Sequence, residues 1–200
     1  HLVTARLHLT EPAAGARLLG LGSYQPERVV TNDELAARVE TSDEWIRSRV
    51  GIESRRIADK DTMLVDMAAE AGVRALEDSG LEPSEIDAVI VATCTMVDNI
   101  PNAAAQVAHR IRISAPAAFD LNTACSGFAY GLAVAADLVR GGTVRHVLVI
   151  GAEQLSDWID WDDRSTCIIF ADGAGAALVG PAADAESVGV GPVAWGSAGD

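Results

Sequence analysis

The sequence holds a single lysine, Lys60, only three cysteines, four histidines and 4% aromatic residues, and each scarcity removes a class of function. Cys94, Cys125 and Cys167 are odd in number and fit no zinc spacing, which argues against a disulfide framework and for reduced thiols in a cytoplasmic setting. His1, His8, His109 and His146 are scattered without metal-ligand pairing, so no metal is expected. The longest apolar runs, Ala88 to Cys94 and Ala129 to Ala136, fall far short of the roughly 20 residues that span a bilayer. No membrane helix is expected. His1 to Thr10 lack the basic start and sustained apolar stretch of a secretory signal and read as part of an N-terminal extension over 1–16, ahead of one domain over 17–200.

Positive charge is also short. A formal charge of −14 repels polyanions and argues against nucleic acid and anionic membrane surfaces as partners. An anionic substrate must therefore find a local basic patch. Arg47, Arg49, Arg55 and Arg56 form the densest cluster and Arg164 stands apart, although all five can equally pair with surface carboxylates.

What is present is a chain 49% hydrophobic, enough for one substantial core. Helix-like and strand-like segments alternate, predicting an α/β fold with a mostly parallel sheet covered by helices. Arg17 to Ser23 reads as a first strand. Thr31 to Glu34 and Thr41 to Glu44 both match a Thr-x-x-Glu capping box and should open two short helices. Leu64, Met67, Ala68, Ala71, Ala75 and Leu76 recur at helical spacing within Thr62 to Ser79, stopped by Gly80. Ile86 to Thr93 is a β-branched run suited to a strand buried on both faces, and Asn102 to Ile111 a crossover helix. The strand Ala117 to Leu121 follows, then a helix over Gly127 to Arg140 so apolar that it should lie sandwiched between layers. Val147 to Ile150 is the next strand, Thr166 to Phe170 and Ala174 to Val179 read as a hairpin, and a last strand is expected near Val188 to Ala194.

Cys125 stands where the strand ending at Leu121 breaks at small residues and passes into the long helix. A thiol there projects from a tight turn at a helix N-terminus, where unpaired amides and the macrodipole favour negative charge on sulfur. That placement suits an acyl-accepting nucleophile, and equally admits a buried structural cysteine. Cys94 and Cys167 lie in apolar strand-like runs, where a small buried thiol is expected. Gly173-Ala174-Gly175 is followed by too short a segment before Gly180-Pro181 to make a dinucleotide-binding loop.

Several separated motifs together carry a resemblance: Gly20 to Pro26, Thr41 to Ile46, Arg49 to Ile52, the Cys125 segment, and Asp163 to Thr166 leading into Phe170 to Ala176. From about Leu18 to Asp200 the chain resembles the β-ketoacyl-acyl carrier protein synthase III enzymes of the thiolase-like superfamily. The resemblance implies a layered αβαβα fold, of which this chain covers mainly the first βαβαβαββ half. It implies that Cys125 takes a short acyl group from acyl-CoA, and that malonyl-acyl carrier protein then decarboxylates and attacks the acyl-enzyme, starting fatty-acid or polyketide synthesis. Trp45 and Arg164 would sandwich the adenine of coenzyme A, with Arg49 and Thr41 lining the same site. Ile100, reaching across a homodimer interface, Leu155 and Phe170 would shape the acyl pocket. No cofactor beyond the acyl-CoA substrate is implied. The family's active-site histidine and asparagine match nothing in these 200 residues, so the isolated chain is expected to lack full condensing activity. A related thiolase-fold synthase with another acceptor, or a noncatalytic partner subunit, are the alternatives.

Overall fold

The computed structural model describes residues 11–183 and 189–196. Its centre is β4 (Ala88–Ala92), whose five residues are all buried. Side chains alternate across a strand, so Val89 and Val91 enter one core while Ala88 and Ile90 enter the other. The neighbouring β6 (Val147–Gln154) does the same, with Leu148 and Ile150 on the first side and Val147 and Val149 on the second. Each fully buried Val or Ile contributes about 1.5–3 kcal/mol.

Five strands form the main sheet in the order β1-β7-β6-β4-β5, where β1 is Gly15–Tyr24, β5 is Ala117–Leu121 and β7 is Asp172–Ala182. The expected mostly parallel sheet is instead mixed: β4 pairs in parallel with β5 and β6, while β7 runs antiparallel between β6 and β1. β1 begins at Gly15, two residues before the expected strand start, and Ala16 is buried.

Helices α3 (Leu64–Ser79) and α4 (Ala103–Arg110) cover one face of the sheet and α5 (Gly127–Arg140) the other. The helix expected over 62–79 starts at Leu64, its entry fixed by the Asp66 carboxylate accepting from the Met63 N–H at 3.2 Å. Close layers require small residues. A Cβ added at Gly131 of α5 would lie 2.8 Å from Val149 Cγ1, so this glycine sets how near α5 lies to the sheet. The outer side of α5 differs from expectation. Phe128, Leu132, Val134 and Leu138 pack against the second core yet stay half-buried, and Ala129 and Asp137 are exposed, so among the described residues no second layer covers that side of the helix.

A second, two-stranded sheet pairs β2 (Arg28–Thr31) with β3 (Ser54–Ile57), flanked by α1 (Asn32–Ala36) and α2 (Asp43–Val50). Its short strands escaped the sequence reading because four residues give too little period to see. Thr31 caps α1 as expected, accepting from the Glu34 N–H. In α2 the cap is Ser42 and not Thr41: Ser42 Oγ accepts from the Trp45 N–H at 3.1 Å.

The expected hairpin over 166–179 does not form. Arg164–Cys167 is instead a short helix, α6, because Asp163 caps it by accepting from the Ser165 N–H, and only β7 continues as strand. The strand expected near 188–194 is also absent from residues 189–194, which run without regular structure and meet the sheet through one bond, Val190 N–H to Ala16 O at 2.8 Å. Val188 itself lies outside the described residues.

Gly131→Val is expected to lower unfolding stability by about 1–3 kcal/mol, since α5 must lift from Val149 to admit the side chain. A shift in urea midpoint at constant slope reads this. Ala129→Ser on the exposed side should stay within about 0.5 kcal/mol.

Candidate active site

In a sheet of this kind ligands gather at the carboxyl ends of parallel strands. β4 and β5 end together, leading to Cys94 and Cys125, and β6 runs on past them, carrying Glu153 and leading to Leu155. After β5 the chain turns sharply. Asn122 Oδ1 accepts from the Ala124 N–H at 3.2 Å, Thr123 O accepts from the Ser126 hydroxyl at 2.8 Å, and Ala124 takes φ 47°. A left-handed alanine costs roughly 1 kcal/mol or more, and the small side chain is what makes it tolerable. The turn then enters α5 through Gly127, where an added Cβ would lie 3.0 Å from Ala92 Cβ.

Held this way, Cys125 is exposed. Its N–H finds no acceptor among the described residues, so the donor is available to a ligand. The alternative of a buried structural cysteine is overturned for Cys125. Burial is instead the state of Cys167, whose thiol is pushed up by loss of water.

Cys125 opens into a cavity of about 490 Å³ lined by Phe128, Gly151, Ala152, Leu155, Phe170 and Ala174 among others. Leu155 and Phe170 thus share one apolar wall with the thiol. Ile100 does not line this cavity: it is 91% exposed, on the loop before α4. Two carboxylates frame the cavity. Glu153 accepts from the Cys94 N–H at 2.9 Å, the Thr93 hydroxyl at 3.2 Å and the Thr95 hydroxyl. Buried Asp172 accepts from the Ala58 N–H at 2.7 Å and from the Ser156 N–H and hydroxyl at 2.9 and 2.6 Å, fastening the turn that carries Leu155.

Cys94 also departs from the expected buried thiol. It is exposed and lines the same cavity as Cys125. Partial desolvation first, then the hydrogen bond and charge of Glu153, raise its pKa above the ordinary thiol value.

The expected nucleotide residues cluster on α2 and α6. Arg49 lies over the Trp45 ring at 5.5 Å, one helical turn along, and Arg164 over the same ring at 4.7 Å while donating to Glu40 O at 3.0 Å. Thr41 Oγ1 is buried beside this cluster in sequence and has no hydrogen-bond partner. The stack has no open slot. A base held between two planes needs roughly 7 Å between them, twice a contact of about 3.5 Å. Here the guanidinium rests on the indole itself.

The other arginines divide. Arg55 is buried and structural, donating to Val30 O, Asn32 Oδ1 and Ile168 O, so it ties β2 and β3 to the segment after α6. Burial pulls its pKa down. Arg47 pairs with Glu53 at 2.9 Å and Arg56 donates to Pro26 O and Glu27 O. Of the five candidates only Arg47 pairs with a carboxylate among the described residues, and Arg49 and Arg164 are the two that rest on an aromatic ring. No group of three or more His, Cys, Asp or Glu is arranged to hold a metal among the described residues, and no described helix is long and apolar enough to cross a membrane. Sequence reasoning missed Cys94, Glu153 and Asp172. A charged or nucleophilic residue just past a buried parallel strand was the available signal for the first two.

The 3-oxoacyl-[acyl-carrier-protein (ACP)] synthase III family profile matches residues 119–199. The β-ketoacyl-[acyl-carrier-protein] synthase III 4 of Streptomyces coelicolor is 51% identical over 183 residues, 92% of this chain and 58% of that protein. Among solved structures, the 3-oxoacyl-[acyl-carrier-protein] synthase III of Aquifex aeolicus superposes with a TM-score of 0.82 at 45% identity, over 85% of this chain and 55% of its own. The priming β-ketosynthase of the R1128 polyketide pathway gives 0.84 at 44% identity, over 88% and 52%. The chain spans about half the length of the curated relatives it matches.

Asp163 is held below the ordinary carboxylate value of 3.8 by the Ser165 hydroxyl and amide and the Thr166 hydroxyl. A depressed folded value means that its contribution to α6 is complete above the unfolded value and is lost as pH falls through the folded one. In wild type the Ser165 amide should be protected relative to its intrinsic exchange rate at neutral pH and lose that protection at strongly acidic pH, whereas in Asp163→Ala it should be unprotected at both, as hydrogen exchange corrected for the intrinsic rate at each pH would read.

Proposed function

Because the chain belongs to the β-ketoacyl-[acyl-carrier-protein] synthase III family, we propose that Cys125 is the nucleophile of a condensing acyltransferase that starts fatty-acid or polyketide synthesis. The observation that carries this reading is the exposed thiol on a strained turn, at the head of an apolar helix, facing an apolar cavity of about 490 Å³.

The thiolate attacks the thioester carbonyl of a short acyl-CoA, the carbonyl oxygen gains charge, and the Cys125 N–H supplies one donor to it. Collapse expels the coenzyme A thiol and leaves the acyl group on sulfur. Malonyl-acyl carrier protein then loses carbon dioxide, and its carbanion attacks the acyl-enzyme, returning the thiolate and forming the β-ketoacyl product. Capture on sulfur divides one difficult condensation into two easier steps.

Trp45, Arg164, Arg49 and Thr41 serve coenzyme A. Arg164 lies where the adenine would stack, so binding requires its flexible side chain to leave the indole and give up the Glu40 carbonyl. The unpartnered Thr41 hydroxyl and the carboxylate-free Arg49 then meet the nucleotide's polar groups. A planar guanidinium and an indole face suit a purine.

Leu155 and Phe170 line the acyl chain. Ile100 reaches the cavity of a second copy in a homodimer, a reading supported by its exposure and by β5 being an edge strand of the sheet, with Phe119 36% exposed. An aliphatic residue there leaves room for a longer or branched primer. The protein acts in the cytoplasm on these two acyl carriers, needs no further cofactor or metal, and has no nucleic-acid or membrane partner, in keeping with its charge of −14.

Mixing the protein with acyl-CoA should add one acyl mass, absent in Cys125→Ala. No adduct on wild type would overturn the reading in favour of a noncatalytic subunit. Arg164→Ala should weaken acyl-CoA binding about tenfold, in line with a cation–π contact of about 0.5–2 kcal/mol. Ile100→Phe should reduce adduct yield from branched primers while sparing acetyl-CoA, and equal loss for both would remove the role given to Ile100.

A further inference from the structure

We propose that Cys94 is a modification site: the resolving thiol that closes a reversible disulfide with Cys125 when the pocket meets peroxide. Both thiols are exposed and both line the same cavity. They are delivered by adjacent parallel strands in fixed register, Ala92 of β4 opposite Leu121 of β5, with the pairing carried one step further by the Thr93 N–H bonded to Leu121 O at 3.1 Å. Cys94 is the next residue along and Cys125 heads the turn beside it. The two sulfurs are close enough for the charge of one to disturb the ionisation of the other.

The pair is chemically unequal. Glu153 keeps Cys94 protonated, because its carboxylate accepts from that thiol and carries like charge. Cys125 stands at the head of the 14-residue α5 and reacts first. Its thiolate attacks one oxygen of hydrogen peroxide, the O–O bond breaks, hydroxide leaves and becomes water, and sulfur is oxidised to sulfenic acid. Cys94 sulfur then attacks the Cys125 sulfur. Its proton passes to Glu153, the S–O bond breaks, and hydroxide takes that proton to leave as a second water. Two thiols and one peroxide thus become one disulfide and two waters. The bond blocks the nucleophile and also shields it from irreversible sulfinic acid. Cys167, the buried last residue of α6, takes no part.

The protein is treated with graded hydrogen peroxide at neutral pH and digested with trypsin without reductant. Cys94 and Cys125 fall on separate peptides, 75–110 and 113–140. They should appear linked, with the loss of two hydrogens, and separate after dithiothreitol. Cys167→Ala should keep the link. Cys94→Ala and Cys94→Ser should abolish it, with Cys125 instead trapped by dimedone and then lost to sulfinic acid that dithiothreitol does not restore. If wild type over-oxidises at Cys125 as fast as these variants while Cys94 stays alkylatable, or links only between molecules, the proposal is overturned. Acylation by acyl-CoA is measured in parallel under reducing conditions. A protein acylated but never linked overturns this pairing alone, and one linked but never acylated overturns only the acyltransferase reading.

Discussion

Everything at the candidate site depends on three parallel strands held in one register, with β4 and β5 ending level and β6 running on to Gln154. Because β4 pairs with both β5 and β6 in continuous register, the residues just beyond β4 and β5 and the last residues of β6 must share one edge of the sheet. Burial on both faces makes that register costly to change, since a shift of one residue would exchange the two cores. The thiol, its neighbouring thiol and the framing carboxylate are therefore placed by core packing and not by loop chemistry. The glycines of α5 then bring its apolar face close to the strands and hold the turn of Cys125 from behind.

Much of this was legible in the sequence because the signals are local. A β-branched run such as Ala88 to Ala92, or the spacing of Leu64, Met67, Ala68, Ala71 and Ala75, writes its partner face into its own period. The break before Cys125 was equally plain, since small residues between a strand and an apolar helix leave few other geometries. What failed was the stretch from Asp163 to Phe170. Its apolar residues look extended, yet Asp163 offers a cap to the next amides and local hydrogen bonding wins over strand propensity. The antiparallel course of β7 was also hidden, because a strand's own pattern says nothing about its direction.

The polar contacts that hold the surface around Trp45 and the turn at Ser156 were out of reach for a different reason. Arg55 donates to Ile168 O across 113 residues, Asp172 accepts from the Ala58 amide across 114, and Arg164 donates to Glu40 O across 124. None of these residues announces its partner. In the sequence Arg55 looks like one more cation in a basic cluster, and only burial shows that it fastens two parts of the fold and is not waiting for a ligand. Arg49 and Arg164, by contrast, satisfy themselves on an aromatic face that a flat ligand can take over.

The position of β7 between β1 and β6 has a consequence for synthesis on the ribosome. β1 is made well before its partner, since among the described residues its ladder partner is β7, Asp172–Ala182. At about 5–20 residues per second, the opening strand waits on the order of ten seconds or more with its edge unpaired. Its three glycines, Gly15, Gly20 and Gly22, and its charged Arg17 make that edge a poor template for aggregation while it waits. β1 is thus locked into the sheet only after β7 has emerged, long after it was itself made.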